Sequence, residues 1–148
     1  MKKIAFLLSI TFLLLQSCSS SDGSSSSGSQ SLVGKWETSQ LRVFPASTII
    51  TGNESLPSYM HECATKKDYV EFWSDGTFQL VVYNNNCFAD ANNAVWTKVG
   101  SQINLSNNGD SITWEIISLT SSELKIKYPN PPTGTPMEYI VISYNKAN

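Results

Sequence analysis

Tyr69-Val70-Glu71-Phe72-Trp73-Ser74-Asp75-Gly76-Thr77-Phe78-Gln79-Leu80-Val81-Val82-Tyr83 reads as two strands folded about a tight turn. β-branched and aromatic residues alternate with polar ones on both sides of Ser74-Asp75-Gly76. That spacing predicts a three-residue hairpin loop with Gly76 in the left-handed position of a bulge. Opposed residues then carry numbers that sum to 150, so Phe72 faces Phe78 and Val70 faces Leu80. Extending the ladder sets Cys63 against Cys87, which the turn itself does not demand. A disulfide at the open end of the hairpin follows, with irregular pairing around His61, Glu62 and Asn84–Asn86. A metal pair is the alternative, but one histidine and two distant thiols make a poor ligand set.

Similar short runs recur outward from this hairpin, separated by Gly, Asn, Asp, Ser and Pro, and helical periodicity is nearly absent. The predicted strands are 35–44, 69–73, 77–83, 94–99, 102–106, 111–119, 123–128 and 138–144. Most connections are short, so consecutive strands pair antiparallel as a meander. Gly100-Ser101 suits a two-residue turn that pairs Trp96 with Leu105 and Lys98 with Ile103. Ile112, Trp114 and Ile116 alternate, but Leu119 is out of phase with them, which a bulge near 117–118 reconciles. Eight such strands close into an all-β, eight-stranded antiparallel up-and-down barrel. A two-sheet sandwich is the competitor.

The N-terminus has a different character. Lys2 and Lys3 precede an apolar run from Ile4 to Leu15, interrupted by Ser9 and Thr11. Twelve residues are too few to span a bilayer, which needs roughly 20, and suit a secretory signal. Leu15-Gln16-Ser17-Cys18 resembles the bacterial lipoprotein box. The resemblance implies cleavage after residue 17 and a lipid on Cys18; an ordinary signal with a chance cysteine is the plainer reading. Ser19 to Ser31 is almost wholly Ser and Gly. Such a tether cannot bury enough apolar area to fold and reaches roughly 20 Å root-mean-square. The expected organisation is a signal over 1–17, a lipidated tether over 18–31 and one barrel domain over 32–148. Ser19 stands where an inner-membrane retention signal would place Asp, so the resemblance favours the outer membrane.

The full chain carries ten Lys+Arg and 12 Asp+Glu. Removing Lys2 and Lys3 leaves eight cations against 12 acids, a net charge of −4. No basic cluster offers a footprint for nucleic acid, so membrane attachment must come from lipid. With Cys18 lipidated, Cys63 and Cys87 remain as an even pair in an oxidising compartment.

The ordered landmarks resemble the lipocalin-like domain of bacterial lipoproteins. They are Gly34-Lys35-Trp36, Cys63, the 72–78 hairpin, Cys87, Trp96, Gly100, Ile103, Leu105, Leu119-Thr120, Leu124 and Ile126. The resemblance covers 32–148 and implies an eight-stranded barrel of the wider lipocalin superfamily. The further signature segments of animal lipocalins are missing. In that superfamily an arginine near the last strand covers the Gly-x-Trp indole. Here Arg42 is the only arginine and lies in the first strand, while Lys146 is the one cation near the end. Fold therefore carries over better than ligand binding.

Alternation assigns Val70, Phe72, Phe78, Leu80, Val82, Trp96, Ile103, Leu105, Ile112, Trp114, Ile116, Leu124 and Ile126 to the inner face. Of these, Phe72, Phe78, Leu80, Trp96, Ile103, Leu105 and Trp114 are the candidate lining of a ligand cavity, with Lys98 as a candidate anchor for a carboxylate head. A barrel of this size is equally able to fill its interior with side chains. Trp36 reads as core at the closed end. Pro45–Glu62 is too long and apolar for a plain loop and reads as a lid or a core-covering connection. Pro129–Pro136 reads as a stiff spacer or partner contact. Trp73, Val81 and Tyr83 would form an aromatic patch if exposed. His61 is the lone histidine, and no pair among Glu37, Glu71, Glu115 and Glu138 stands out. The expected protein is non-enzymatic, needs no metal or cofactor, and binds a small apolar or amphipathic molecule. The alternative is a structural or protein- or glycan-binding lipoprotein with a packed barrel.

Overall fold

A computed structural model describes residues 31–45, 47–130 and 138–148. The signal, Cys18 and the tether fall outside the described residues, as does most of the Pro129–Pro136 segment. Eight strands follow in order: β1 Gly34–Pro45, β2 Tyr69–Phe72, β3 Thr77–Tyr83, β4 Ala89–Val99, β5 Gln102–Asn107, β6 Asp110–Leu119, β7 Glu123–Asn130 and β8 Glu138–Lys146. Each pairs antiparallel with the next, and β8 pairs with β1, closing a barrel. Closure overturns the sandwich reading.

The hairpin about Ser74–Gly76 has the predicted register, Phe72↔Phe78 and Val70↔Leu80. Gly76 takes a φ of +87°, a conformation that costs glycine little. Trp96↔Leu105 and Lys98↔Ile103 also pair as predicted, and β6 shifts register between Ile116 and Ser118. Some strand bounds differ from expectation. β4 begins at Ala89 rather than residue 94, because β3 is long enough to pair the polar Asp90–Asn93 stretch. The β2–β3 ladder stops at Tyr69↔Val81, and the cysteines meet beyond it across irregular chain, in keeping with the irregular pairing expected there. β7 also runs through Pro129 and Asn130, which pair with Tyr139 and Glu138.

The turns at 74–76, 100–101 and 120–122 gather at one end of the barrel, and that end is filled. Trp36, Val70, Phe72, Ile103, Leu124 and Ile126 are fully buried there. The Trp36 indole donates to the Leu32 carbonyl at 2.7 Å. Lys146 Nζ lies 4.1 Å from the ring centroid and donates to the Val33 carbonyl at 2.6 Å. Gly34 has a φ of +123°, and a Cβ there would stand 2.5 Å from that Nζ. Lysine thus covers the indole that the sequence had left without an arginine.

Pro45–Glu62 covers core and wall rather than the mouth. Ile50 and Leu56 pack outside the barrel on Phe44, Val141 and Ile117, making a second small core. Lys125 Nζ holds the Gly52 carbonyl at 2.8 Å. The chain then repairs the wall where β2, only four residues long, leaves β1 unpaired. Leu41 N–H donates to Pro57 O at 3.2 Å, and Tyr59 N–H to Ser39 O at 2.8 Å.

Candidate functional site

The other end of the barrel is a cup. An apolar hollow of about 360 Å³ is walled by Phe78, Leu80, Ala94, Leu105, Ile112, Trp114 and Tyr128. Its rim is polar, from Asn92, Asn93, Ser106, Asn107, Asp110 and Ser111. The opening follows from strand lengths. β5 pairs with β4 only up to Val95↔Ser106, so Ala89–Ala94 rises above the tip of the β5–β6 hairpin. The barrel wall is notched there. Aromatic rings run from plug to cup in edge and tilted contacts. Phe72 meets Trp96 at 5.3 Å and Phe78 at 5.0 Å, Phe78 meets Trp114 at 5.5 Å, and Trp114 meets Tyr128 at 5.9 Å.

A deeper hollow of about 160 Å³ adjoins the first across Leu80, Trp114 and Tyr128. Thr38, Leu41, Tyr59, Asp68, Ile142 and Tyr144 also line it. Asp68 is 2% exposed. Its Oδ1 accepts the Tyr83 N–H at 2.7 Å, and its Oδ2 accepts the Tyr59 hydroxyl at 2.8 Å. Burial and this carboxylate push the Tyr59 phenol up to about 12. Burial, with Tyr128 and Tyr59 alongside, pushes Tyr144 further above the usual phenol range.

His61 Nδ1 lies 3.6 Å from Asp68 Oδ2, yet the same nitrogen accepts the Asp68 N–H at 3.0 Å. That bond engages the Nδ1 lone pair with the Asp68 backbone rather than with its carboxylate.

Cys63 and Cys87 form a disulfide with Cα atoms 5.0 Å apart. Bonded sulfurs are no longer free thiolate ligands, which removes the metal alternative. The bond joins the segment carrying Tyr59, His61 and Asp68 to the Asn84–Phe88 turn. That turn is built by Asn84, whose side chain accepts N–H groups of Asn86 and Phe88 at 3.0 and 3.1 Å.

The candidate lining residues divide between the two ends. Phe78, Leu80, Leu105 and Trp114 line the cup. Phe72 and Ile103 are buried in the plug, and Trp96 joins them, donating its indole N–H to the Trp73 carbonyl at 3.0 Å. Lys98 is exposed beside the Gly100 turn, at the plugged end, and lines neither hollow. The barrel leaves it no mouth to guard. Sequence reasoning missed Asp68, Tyr128 and Tyr144. Tyr128 and Tyr144 alternate in phase with Ile126 and Ile142, a signal that was available. Asp68 offered none beyond its place just before β2.

The plug, the cup and the closed meander define a small barrel of the lipocalin class. The chain belongs to the lipocalin-like domain family, whose model matches residues 32–126. An uncharacterised protein of Bacteroides eggerthii has a similar structure, with a TM-score of 0.51 at 11% identity over 79% of this chain and 100% of that one. A lipocalin-like protein of Bacteroides uniformis gives 0.49 at 11% identity, covering 78% and 98%. A bovine odorant-binding protein in complex with its natural ligand gives 0.46 at 16% identity, covering 80% and 75%. No protein of curated function matches the chain in sequence.

Proposed function

We propose that this chain is a lipid-anchored, extracytoplasmic binding protein that takes a small apolar or amphipathic molecule into the cup. The observation that carries this reading is the 360 Å³ apolar hollow with its polar rim. Its size and lining are those of small-molecule sites, which are concave, mostly apolar and edged by a few polar groups. The anchor reading rests on Lys2, Lys3, the 4–15 run and Cys18, and outer-membrane placement on Ser19. Several acyl chains hold a protein stably where one does not. The alternative of a working outer surface loses its aromatic patch. Val81 is 3% exposed, and Lys66 Nζ covers the half-buried Tyr83 ring at 5.0 Å.

The whole paired ladder lies within Gly34–Lys146, so residues 19–148 retain every strand contact of the barrel. Native mass spectrometry of that chain, purified from an oxidising compartment without detergent, should show an adduct removable by organic solvent. A bare mass that persists after incubation with decanol would sink the binding reading. For the anchor, Cys18→Ala should abolish incorporation of labelled fatty acid and move the protein from the membrane to the soluble fraction. Retention of both label and membrane association would refute it.

A further inference from the structure

Among the described residues, no positive group lines either hollow. The only charged lining residues are Asp68 and Asp110. A carboxylate head would find no partner and two repulsive neighbours. The deeper hollow is built for the opposite charge. Asp68 uses one acceptor site on each oxygen, for Tyr83 N–H and Tyr59 O–H. A carboxyl group has acceptor capacity beyond one bond on each oxygen. Among the described residues no lysine or arginine pairs with it, and the nearest basic side chain, His61, turns its Nδ1 to the Asp68 N–H.

A second observation points into the same space. Among the described residues no hydrogen bond engages the Tyr128 or Tyr144 hydroxyl. Yet no fully enclosed side-chain oxygen there lacks a partner. Both residues line the deeper hollow, and Tyr128 lines the cup as well. Tyr144 is 2% exposed, so its hydroxyl has nowhere else to turn. Buried polar groups are normally partnered. A carboxylate with spare acceptor capacity and two phenols, set at the end of an apolar cup, is the complement of a multi-donor head.

We infer that the deeper hollow receives the ammonium head of an amphipathic amine whose hydrocarbon chain lies in the cup. This rests on the binding reading above and narrows its ligand class to aliphatic primary amines over fatty acids. Asp68 accepts one N–H, and the Tyr128 and Tyr144 oxygens accept others. The ring faces of Trp114 and Tyr128 add a favourable surface for a cation. Asp68 is held for this by the Cys63–Cys87 bond on one side and by Thr38 N–H, which donates to its backbone carbonyl at 2.9 Å, on the other.

The test is calorimetric titration of residues 19–148 with decylamine, decanol and decanoic acid, each below its micelle concentration, at pH 7. Decylamine should bind about tenfold or more tightly than decanoic acid, the worth of one charge-assisted hydrogen bond. The ratio of amine to alcohol affinity should fall roughly tenfold in Asp68→Asn and severalfold in Tyr144→Phe. Tyr144→Phe retains the ring, so it keeps the test alive if Asp68→Asn does not fold. Equal binding of all three, a preference for the acid, or an unchanged ratio in both variants would overturn the amine site while leaving the binding reading intact. No binding of any of the three would overturn both.

Discussion

Two residues show how much of the chemistry is set by distant partners. Lys146 supplies the cation that covers Trp36, with its ammonium over the ring and on the Val33 carbonyl. Arginine usually serves such stacked sites because its guanidinium is planar and multivalent. One ring and one acceptor need only a point charge. Lys146→Met keeps the stem and removes the charge, and should cost about 1–2 kcal/mol. The urea midpoint should fall with the slope unchanged; an unchanged midpoint would deny the cap any role. Tyr59 carries the pH dependence. Its folded-state proton is held to about 12 against the ordinary phenol value of 10.0. Between those values the folded state binds more protons than the unfolded, so stability is whole below pH 10 and declines as pH rises towards 12. Tyr144 acts with the same sign. Urea midpoints at pH 8, 10 and 11 should fall in that order, and Tyr59→Phe should make the fall shallower. Lys146 stood out in the sequence as the one cation near the end, but the role of Tyr59 was not legible there. Asp68 looks like a turn residue after two lysines, and its burial is made by Tyr59 and Tyr83, nine and 15 positions away.

At the scale of elements, local chemistry was the readable part. Ser74–Gly76 and Gly100-Ser101 set two hairpin registers, because a turn type fixes which residues face each other. The phase slip between Ile116 and Leu119 located the β6 bulge. What could not be read was any element whose form depends on a neighbour. The first half of β4, Ala89–Asn93, is polar and loop-like, and becomes strand because β3 offers it a ladder. The 46–62 connection was recognised as too apolar for a loop, but its destination, the outer face over Val141, lies some 80 residues on. Leu56→Ala should therefore cost about 2–3 kcal/mol, and amide exchange should quicken across 50–58 before it does in β3. Uniform quickening would mean that the segment is no separate packing unit. The disulfide closes a loop of 24 residues, worth about 3.5 kcal/mol in the chain-entropy account. Cys63→Ser with Cys87→Ser should lower stability by that order. Alkylation of the untreated protein should add no mass at either cysteine.

The whole molecule divides its interior unevenly, and stability and binding should divide with it. Side-chain volume is concentrated at the end that carries the 74–76, 100–101 and 120–122 turns, with Trp36, Phe72, Trp96, Ile103, Leu124 and Ile126 as a solid plug. Towards the notch above the β5–β6 hairpin the inner face turns to smaller or half-exposed residues, Ala94 and Ile112, the latter 37% exposed. A barrel of eight strands has room for either arrangement, and this one uses both in series. The plug supplies the well-packed burial that lets the other end remain hollow. Phe72→Ala should then cost about 3–5 kcal/mol and Ile103→Ala about 2–5 kcal/mol, the range for large deletions in a filled core. Ile112→Ala should cost under about 1 kcal/mol, because its side chain already meets solvent. Ala94→Phe should have the reverse profile. It grows into the cup without displacing packed neighbours, so the urea midpoint should hold while the affinity for decylamine and decanol drops by at least tenfold. Equal destabilisation by Ala94→Phe and Phe72→Ala would mean that the cup is packed core after all. A midpoint preserved and an affinity lost would locate binding in the cup, independently of which head group the deeper hollow prefers.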